Sequence, residues 1–257
     1  TDVSNFRPIS SLPTIAKITE RVVYEQLFTY FTSHHLFSSS QHGFRVNHST
    51  DTALVTVTDK VFEAMDRKEV TLLCLLDLSK CFDVVPHAGL LRKLELYNVD
   101  TRWFDSYLAG HCQQVVVRSA CGTSILSLPL PNPIGTYQGT ALGPLLYSIY
   151  ANDMPLYAED ACIVQYADDT QVLVSGRPGD IGALTGSMER NLSQLSNWFG
   201  KNGLKINAQK TQLIVLGTRQ NLRQLPNVTI KFMSSTVSGS PVVRNLGVTF
   251  DACMTFD

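Results

Sequence analysis

Apolar residues recur at positions 15, 18, 22, 23, 27 and 31. That spacing keeps one helix face apolar and predicts a helix over Thr14 to Phe31, with Thr14 as its N-cap. Leu54, Val57, Val61 and Met65 repeat the pattern and predict a second helix over Ser49 to Arg67. The polar, glycine-bearing stretch Ser38 to His48 between them reads as loop. Val70 to Leu76 differs: a short, nearly continuous apolar run that stops at Asp77, the mark of a strand buried on both faces. Helical patterns follow at His87 to Leu96 and Arg102 to Leu108. Gln113 to Arg118 and Thr123 to Leu130, joined around Cys121-Gly122, predict a hairpin. Leu142 to Ala151 reads as another helix.

Two strand-like runs, Ala161 to Ala167 and Gln171 to Val174, flank Asp168-Asp169-Thr170 and predict a tight hairpin with acids at its tip. A long amphipathic helix over Ile181 to Phe199 carries Leu184, Met188, Leu192, Leu195 and Phe199 on one face, and Gly203 ends it. Strand-like segments at 211–216, 228–233 and 242–250 complete the pattern. Helices and strands interleave, and the acidic hairpin demands an antiparallel pair, so the class is mixed α and β. No internal repeat is present.

Composition changes this picture little. The 257 residues are 44% hydrophobic, enough for a sizeable core, and no apolar run approaches the roughly 18 residues of a membrane span. The chain begins with Thr1 and ends directly after a strand-like segment, and we read it as a piece of something longer. Its six cysteines show no Cys-x-x-Cys pair and no zinc-like grouping with histidine, which fits a reduced, intracellular setting. The net charge of −1 gives no support to nucleic-acid binding. From Lys201 onward, however, seven basic residues face two acids, a local excess suited either to phosphate or to a solvated surface.

Candidate chemistry lies in the acids. Asp77 closes a buried strand and Asp168-Asp169 sit in a hairpin turn; if these strands are neighbours, three carboxylates meet at one sheet edge. Magnesium takes oxygen ligands, and two ions about 3.5–4 Å apart stabilise both the attacking and the leaving oxygen of a phosphoryl transfer. An Asp-Asp pair is also ordinary turn chemistry, so the pattern alone leaves both readings open. The six histidines show no metal spacing.

The motifs go further. Asn5-Phe6-Arg7-Pro8-Ile9-Ser10 with Ala16-Lys17-Ile18, and Gln41-His42-Gly43-Phe44-Arg45 with Ser49-Thr50, resemble two fingers motifs of the reverse transcriptases of LINE-type (non-LTR) retrotransposons. Leu76 to Asp83 through His87 resembles the first catalytic palm motif. Gln138-Gly139 with Leu142-Gly143-Pro144-Leu145, then Tyr150 to Pro155, resembles the template- and nucleotide-positioning motif. Tyr166-Ala167-Asp168-Asp169 resembles the catalytic hairpin. Trp198, Asn202 to Asn207 and Lys210-Thr211 resemble the segment after it, and Asn245-Leu246-Gly247-Val248 the primer-grip region. All seven motifs stand in the family's order.

The resemblance implies an α+β fold, a right-hand polymerase palm with an antiparallel sheet and packed helices, plus helical fingers and little of a thumb. It divides the chain into fingers (1–68), palm with a fingers/palm insertion (69–217) and palm end with primer grip (218–257). It implies an RNA-directed DNA polymerase with two Mg²⁺ ions held by Asp77, Asp168 and Asp169, and an RNA template, a DNA primer and dNTPs as partners. A membrane is not among them, whereas further domains of a longer polyprotein and a nuclear location are. Phe82 is implied as the steric gate against ribose, Gln138 and Gly139 as neighbours of the template base and incoming nucleotide. Arg7, Lys17 and Arg45 are candidates for the triphosphate, and either Lys205 or Lys210 for protonating pyrophosphate. Tyr137 stands where the family usually has proline, and Cys81 where alanine is common. The alternatives are an RNA-templated RNA polymerase, which shares the two-metal palm, and an inactive remnant that keeps the palm fold.

Overall fold

The strand β1 (Val70–Leu76) is interior to a four-stranded antiparallel sheet in the order β6–β7–β1–β8, with β6 at Cys162–Tyr166, β7 at Asp169–Gly176 and β8 at Gln212–Leu216. The computed structural model describes residues 10, 12–78, 80–119, 121–137 and 139–255. β1 pairs with β7 from Val70↔Gly176 to Leu76↔Thr170, and with β8 from Thr71↔Leu216 to Leu75↔Gln212. Both faces of the sheet are covered, which is why β1 reads as an apolar run rather than an alternation. On one face α2 (Thr50–Asp66) packs Ala53, Leu54, Val57 and Val61 against Leu73, Val164, Leu173 and Ile214. On the other, Leu72, Cys74 and Val172 belong to a second, larger core with residues of α3 (His87–Leu96), α4 (Arg102–Leu108), α5 (Leu142–Tyr150) and α6 (Ile181–Lys201). This is the expected α+β arrangement of antiparallel sheet and packed helices.

Most expected elements stand within a residue or two of their positions. Ser49 caps α2 through a capping box with Thr52, and α6 stops at Asn202 with Gly203 in the left-handed region (φ 69°). Two expectations, for the first helix and the 242–250 strand, are corrected, while the 113–130 hairpin and the 228–233 strand stand with added detail. The first helix, α1 (Thr14–Ser33), is preceded by Pro13 as N-cap, and Ile15, Ile18 and Val22 are exposed while Leu27 and Phe31 are buried. Its apolar stripe thus reaches a core only in its C-terminal half. The 113–130 hairpin forms two short ladders, β2 (Cys112–Gln113) with β5 (Leu130–Pro131) and β3 (Val116–Arg118) with β4 (Ser124–Leu126), mostly exposed. The 242–250 segment is itself a hairpin, β11 (Val242–Asn245) with β12 (Val248–Asp251), because Leu246 and Gly247 both take positive φ (45° and 91°). β9 (Thr229–Phe232) pairs with a β10 (Ser235–Ser238) whose polar sequence gives no apolar run to read.

β8 also divides the basic C-terminal segment. It starts opposite Leu75, near the acids, and ends opposite Thr71. Arg219 lies in the short helix α7 (Arg219–Leu222), and Arg223 just after it, beyond the far end of the sheet, where Asn221 Nδ2 donates to the Lys68 carbonyl. The basic residues are therefore not one patch.

Candidate active site

In the β6–β7 ladder Tyr166 pairs with Asp169, leaving Ala167 and Asp168 as a two-residue turn with Ala167 at φ 56°. Asp169 is the first residue of β7 rather than a loop residue, a correction to the expected three-residue separation. The β1–β7 ladder ends at Leu76↔Thr170, so Asp77 and Asp169, the next residue of each strand, stand at the same sheet edge. Both line a cavity of about 280 Å³ together with Lys210, Arg244, Asn245 and Gly247. The Asp77 carbonyl accepts from Asn207 N at 2.8 Å and Leu78 bridges to Ile206, which lays the 206–210 segment along the strand end. Lys210 Nζ thereby comes to 3.9 Å from Asp77 Oδ2.

Asp168 has different neighbours: the buried Cys81 thiol lies beside it, and the buried Tyr147 hydroxyl lies beside Cys81. Burial first, then the charge of Asp168, pushes the Cys81 thiol well up; burial does the same to Tyr147. Among the described residues no three His, Cys, Asp or Glu side chains are grouped so as to hold an ion. The donor chemistry nevertheless fits a hard divalent cation. Magnesium usually takes one or two carboxylates and completes its shell with water and substrate phosphates, so a closed protein cage is not required. The Lys210 ammonium beside Asp77 shows that this carboxylate already faces a positive charge.

Phe82 lies in a short 3₁₀ helix, Cys81–Val84, with its ring centroid 4.5 Å from Tyr147 and 6.2 Å from Phe44 of the fingers-motif loop. Gly139 takes φ 87° in the exposed turn before α5. That turn is closed by Thr140, which donates to the Tyr137 carbonyl at 2.9 Å and accepts from Gly143 N at 3.1 Å. A Cβ on Gly143 would lie 2.4 Å from the Tyr137 oxygen, so only glycine fits. The Tyr137 ring packs on His111 and Tyr107 (4.8 and 6.0 Å between centroids).

The structure separates the candidate cations. Lys210 borders the acids; Lys205 is exposed and Lys17 is exposed on α1, and neither lines that cavity. Arg45 Nη1 donates to the Ser38 and Gln41 carbonyls at 2.8 and 3.0 Å, and its guanidinium sits over the Phe37 ring. Arg7 and Gln138 lie outside the described residues. Residue-level reading missed two features. Arg244 borders the acidic cavity, signalled only by its place beside the primer-grip motif. Glu20, 1% exposed, accepts from Tyr107 Oη at 2.5 Å and from Ala141 N at 3.1 Å, tying α1 to the start of α5. A single acid on a helix carries no sign of such a partner.

A family model described as reverse transcriptase (RNA-dependent DNA polymerase) matches residues 1–250. The chain belongs to this family. It is 32% identical over 269 residues to the RNA-directed DNA polymerase from mobile element jockey of Drosophila melanogaster, covering 100% of this chain and 28% of that protein. The probable RNA-directed DNA polymerase from transposon BS, also of Drosophila melanogaster, is 30% identical over 98% of this chain and 28% of its own length. These relatives are non-LTR retrotransposon polymerases, as the motifs implied. The chain spans under a third of their length. Among solved structures, apo telomerase from Candida tropicalis truncated from its C-terminal domain superposes with a TM-score of 0.56 at 15% identity, covering 93% of this chain and 44% of that one. That likeness carries the fold, a palm-like reverse transcriptase core.

Proposed function

We propose that the chain is the polymerase core of a non-LTR retrotransposon reverse transcriptase, extending the 3′-hydroxyl of a DNA primer with dNTPs on an RNA template. The observation that carries this is the meeting of Asp77 with the Asp168-Asp169 hairpin at one sheet edge, in a chain of the reverse transcriptase family. Reverse transcriptases use divalent metal. Two Mg²⁺ ions held by Asp77, Asp168 and Asp169 with substrate phosphates would stabilise charge on the attacking and leaving oxygens.

The chain's own residues do the rest. Asp169 opens β7, Asp168 sits in the turn before it and Asp77 directly follows β1, so little reorganisation is needed as charge develops. In this reading Lys210 rather than Lys205 gives a proton to departing pyrophosphate, which its position 3.9 Å from Asp77 Oδ2 supports. Phe82, braced by Tyr147, presents its ring to the nucleotide sugar and excludes a 2′-hydroxyl. Gly139 and Gln138 contact the templating pair, and Arg7 and Lys17 contact the triphosphate. Arg45 acts on the triphosphate only through the loop it braces. The division into fingers (1–68), palm (69–217) and palm end with primer grip (218–257) belongs to this reading.

The test is extension of oligo(dT) on poly(rA) with dTTP and Mg²⁺. Extension that stops on chelation supports the reading; a folded chain that extends no primer with Mg²⁺ or Mn²⁺ overturns it in favour of an inactive palm.

A further inference from the structure

The loop 38–45 lies directly on the turn that carries Asp168. Gln165 N donates to the Ser40 carbonyl and His42 N to the Gln165 carbonyl, both at 2.8 Å, so the loop runs beside β6 as an added parallel bridge, Gln41↔Gln165. At its centre the Gln41 side chain, 1% exposed, uses one oxygen twice: Oε1 accepts from Gly43 N at 2.7 Å and from Ala167 N at 3.3 Å. Gly43 then lies so close that a Cβ on it would stand 2.3 Å from Ala167 N and 3.0 Å from Ala167 Cα. Ala167 holds φ 56°, the left-handed conformation that a two-residue hairpin turn calls for and that costs a residue with a Cβ free energy.

The loop has its own anchors outside the turn. Asn152 Oδ1 accepts from Ser38 N at 2.7 Å, Arg45 bonds the Ser38 and Gln41 carbonyls, and His42 Nδ1 meets Thr52 Oγ1 of α2 at 2.9 Å. The turn is therefore clamped between β6–β7 and a loop tied to the rest of the molecule. Gln41 Nε2 is buried and makes no hydrogen bond, so the acceptor oxygen is the only part of that amide in use.

We propose that Gln41 and Gly43 are positioning residues for Asp168: by fixing the left-handed Ala167 they set where the Asp168 carboxylate stands. The inference rests on the functional reading above, in which Asp168 binds metal. Neither residue touches substrate or metal in this role. Their loss misplaces a carboxylate by a fraction of an ångström to an ångström, enough to lower turnover without removing a nucleotide contact.

The test compares Gln41→Met, which keeps length and loses the acceptor, with Gln41→Glu, which keeps the acceptor oxygen, beside Gly43→Ala and a control Asp168→Asn. Three readouts are taken: Mn²⁺ binding to the chain by electron paramagnetic resonance, kcat and KM for dTTP, and the melting curve. Gln41→Met and Gly43→Ala should weaken Mn²⁺ binding about fivefold or more and lower kcat about tenfold or more. KM for dTTP should change by less than about threefold, with melting still cooperative. Gln41→Glu should recover most of kcat and of Mn²⁺ affinity. Should Gly43→Ala not fold, the Gln41 pair decides. Wild-type Mn²⁺ binding and kcat in Gln41→Met, with Asp168→Asn inactive, overturn this inference alone. So does a KM for dTTP in Gln41→Met that rises as much as kcat falls, which would place the side chain against the nucleotide instead. Retained activity in Asp168→Asn, or a wild-type chain that does not bind Mn²⁺, overturns the parent reading instead.

Discussion

Asp77 and Asp169 leave adjacent antiparallel strands side by side, because the ladder between β1 and β7 runs out one residue earlier, at Leu76↔Thr170. Ninety-two positions of chain separate them, and the sheet closes that gap. A buried strand ends in a charged residue only where the sheet ends, since an unpaired carboxylate inside the apolar layer would be costly. The edge that stops the hydrophobic run is thus the edge that collects the acids.

Phe82 should discriminate between sugars. Phe82→Val removes the ring that packs on Tyr147, and the ratio of kcat/KM for dTTP over UTP should fall at least about tenfold, or about 1.4 kcal/mol of transition-state discrimination. Equal losses for both nucleotides would make the ring a packing element only.

Salt dependence should sort the basic residues by their end of the sheet. Lys210 and Arg244 border the acids, whereas Arg219 and Arg223 lie beyond the opposite end of a seven-residue strand, on the order of 20 Å away. Replacing Lys210 and Arg244 with Gln should reduce the slope of log K against log salt for primer–template by about one to two, at about 0.9 per phosphate released. The Arg219→Gln, Arg223→Gln pair should leave the slope unchanged. The reverse result would put nucleic acid on the other end of the sheet.

Much of this was legible in sequence, for physical reasons that also mark the limits. β1, α2 and α6 were readable because each sits on the sheet and its burial imposes a period. α1 misled at Ile15, Ile18 and Val22 because helical amphipathicity does not say where along the helix a core begins. Tyr166 to Asp169 announced a hairpin, but the ladder takes Asp169 into β7, since two residues suffice to turn the chain. The clamp of Gln41 on Ala167 joins residues 126 positions apart through one side-chain oxygen, and no periodicity encodes that.

Cysteine reactivity should follow hydroxyl contacts and burial. The exposed Cys121 thiol is brought down to about 7 by hydrogen bonds from Ser119, then Thr123, while burial pushes Cys74 up to about 12. Its thiolate fraction therefore rises through neutral pH. Iodoacetamide labelling read by mass spectrometry should modify Cys121 first, half-titrating near pH 7, and leave Cys74 unmodified in the folded chain. Labelling of Cys74 at the rate of Cys121 would contradict the buried position of β1.

The most direct test of the central claim is single-turnover extension of oligo(dT) on poly(rA) by the Asp77→Asn variant, with the circular dichroism spectrum and melting curve recorded on the same preparation. Asparagine matches the shape of aspartate and lacks the charge that holds metal, so the account predicts a folded protein whose extension rate falls at least about a thousandfold, or about 4 kcal/mol. Extension at the wild-type rate by the folded variant would contradict it and remove Asp77 from the chemistry.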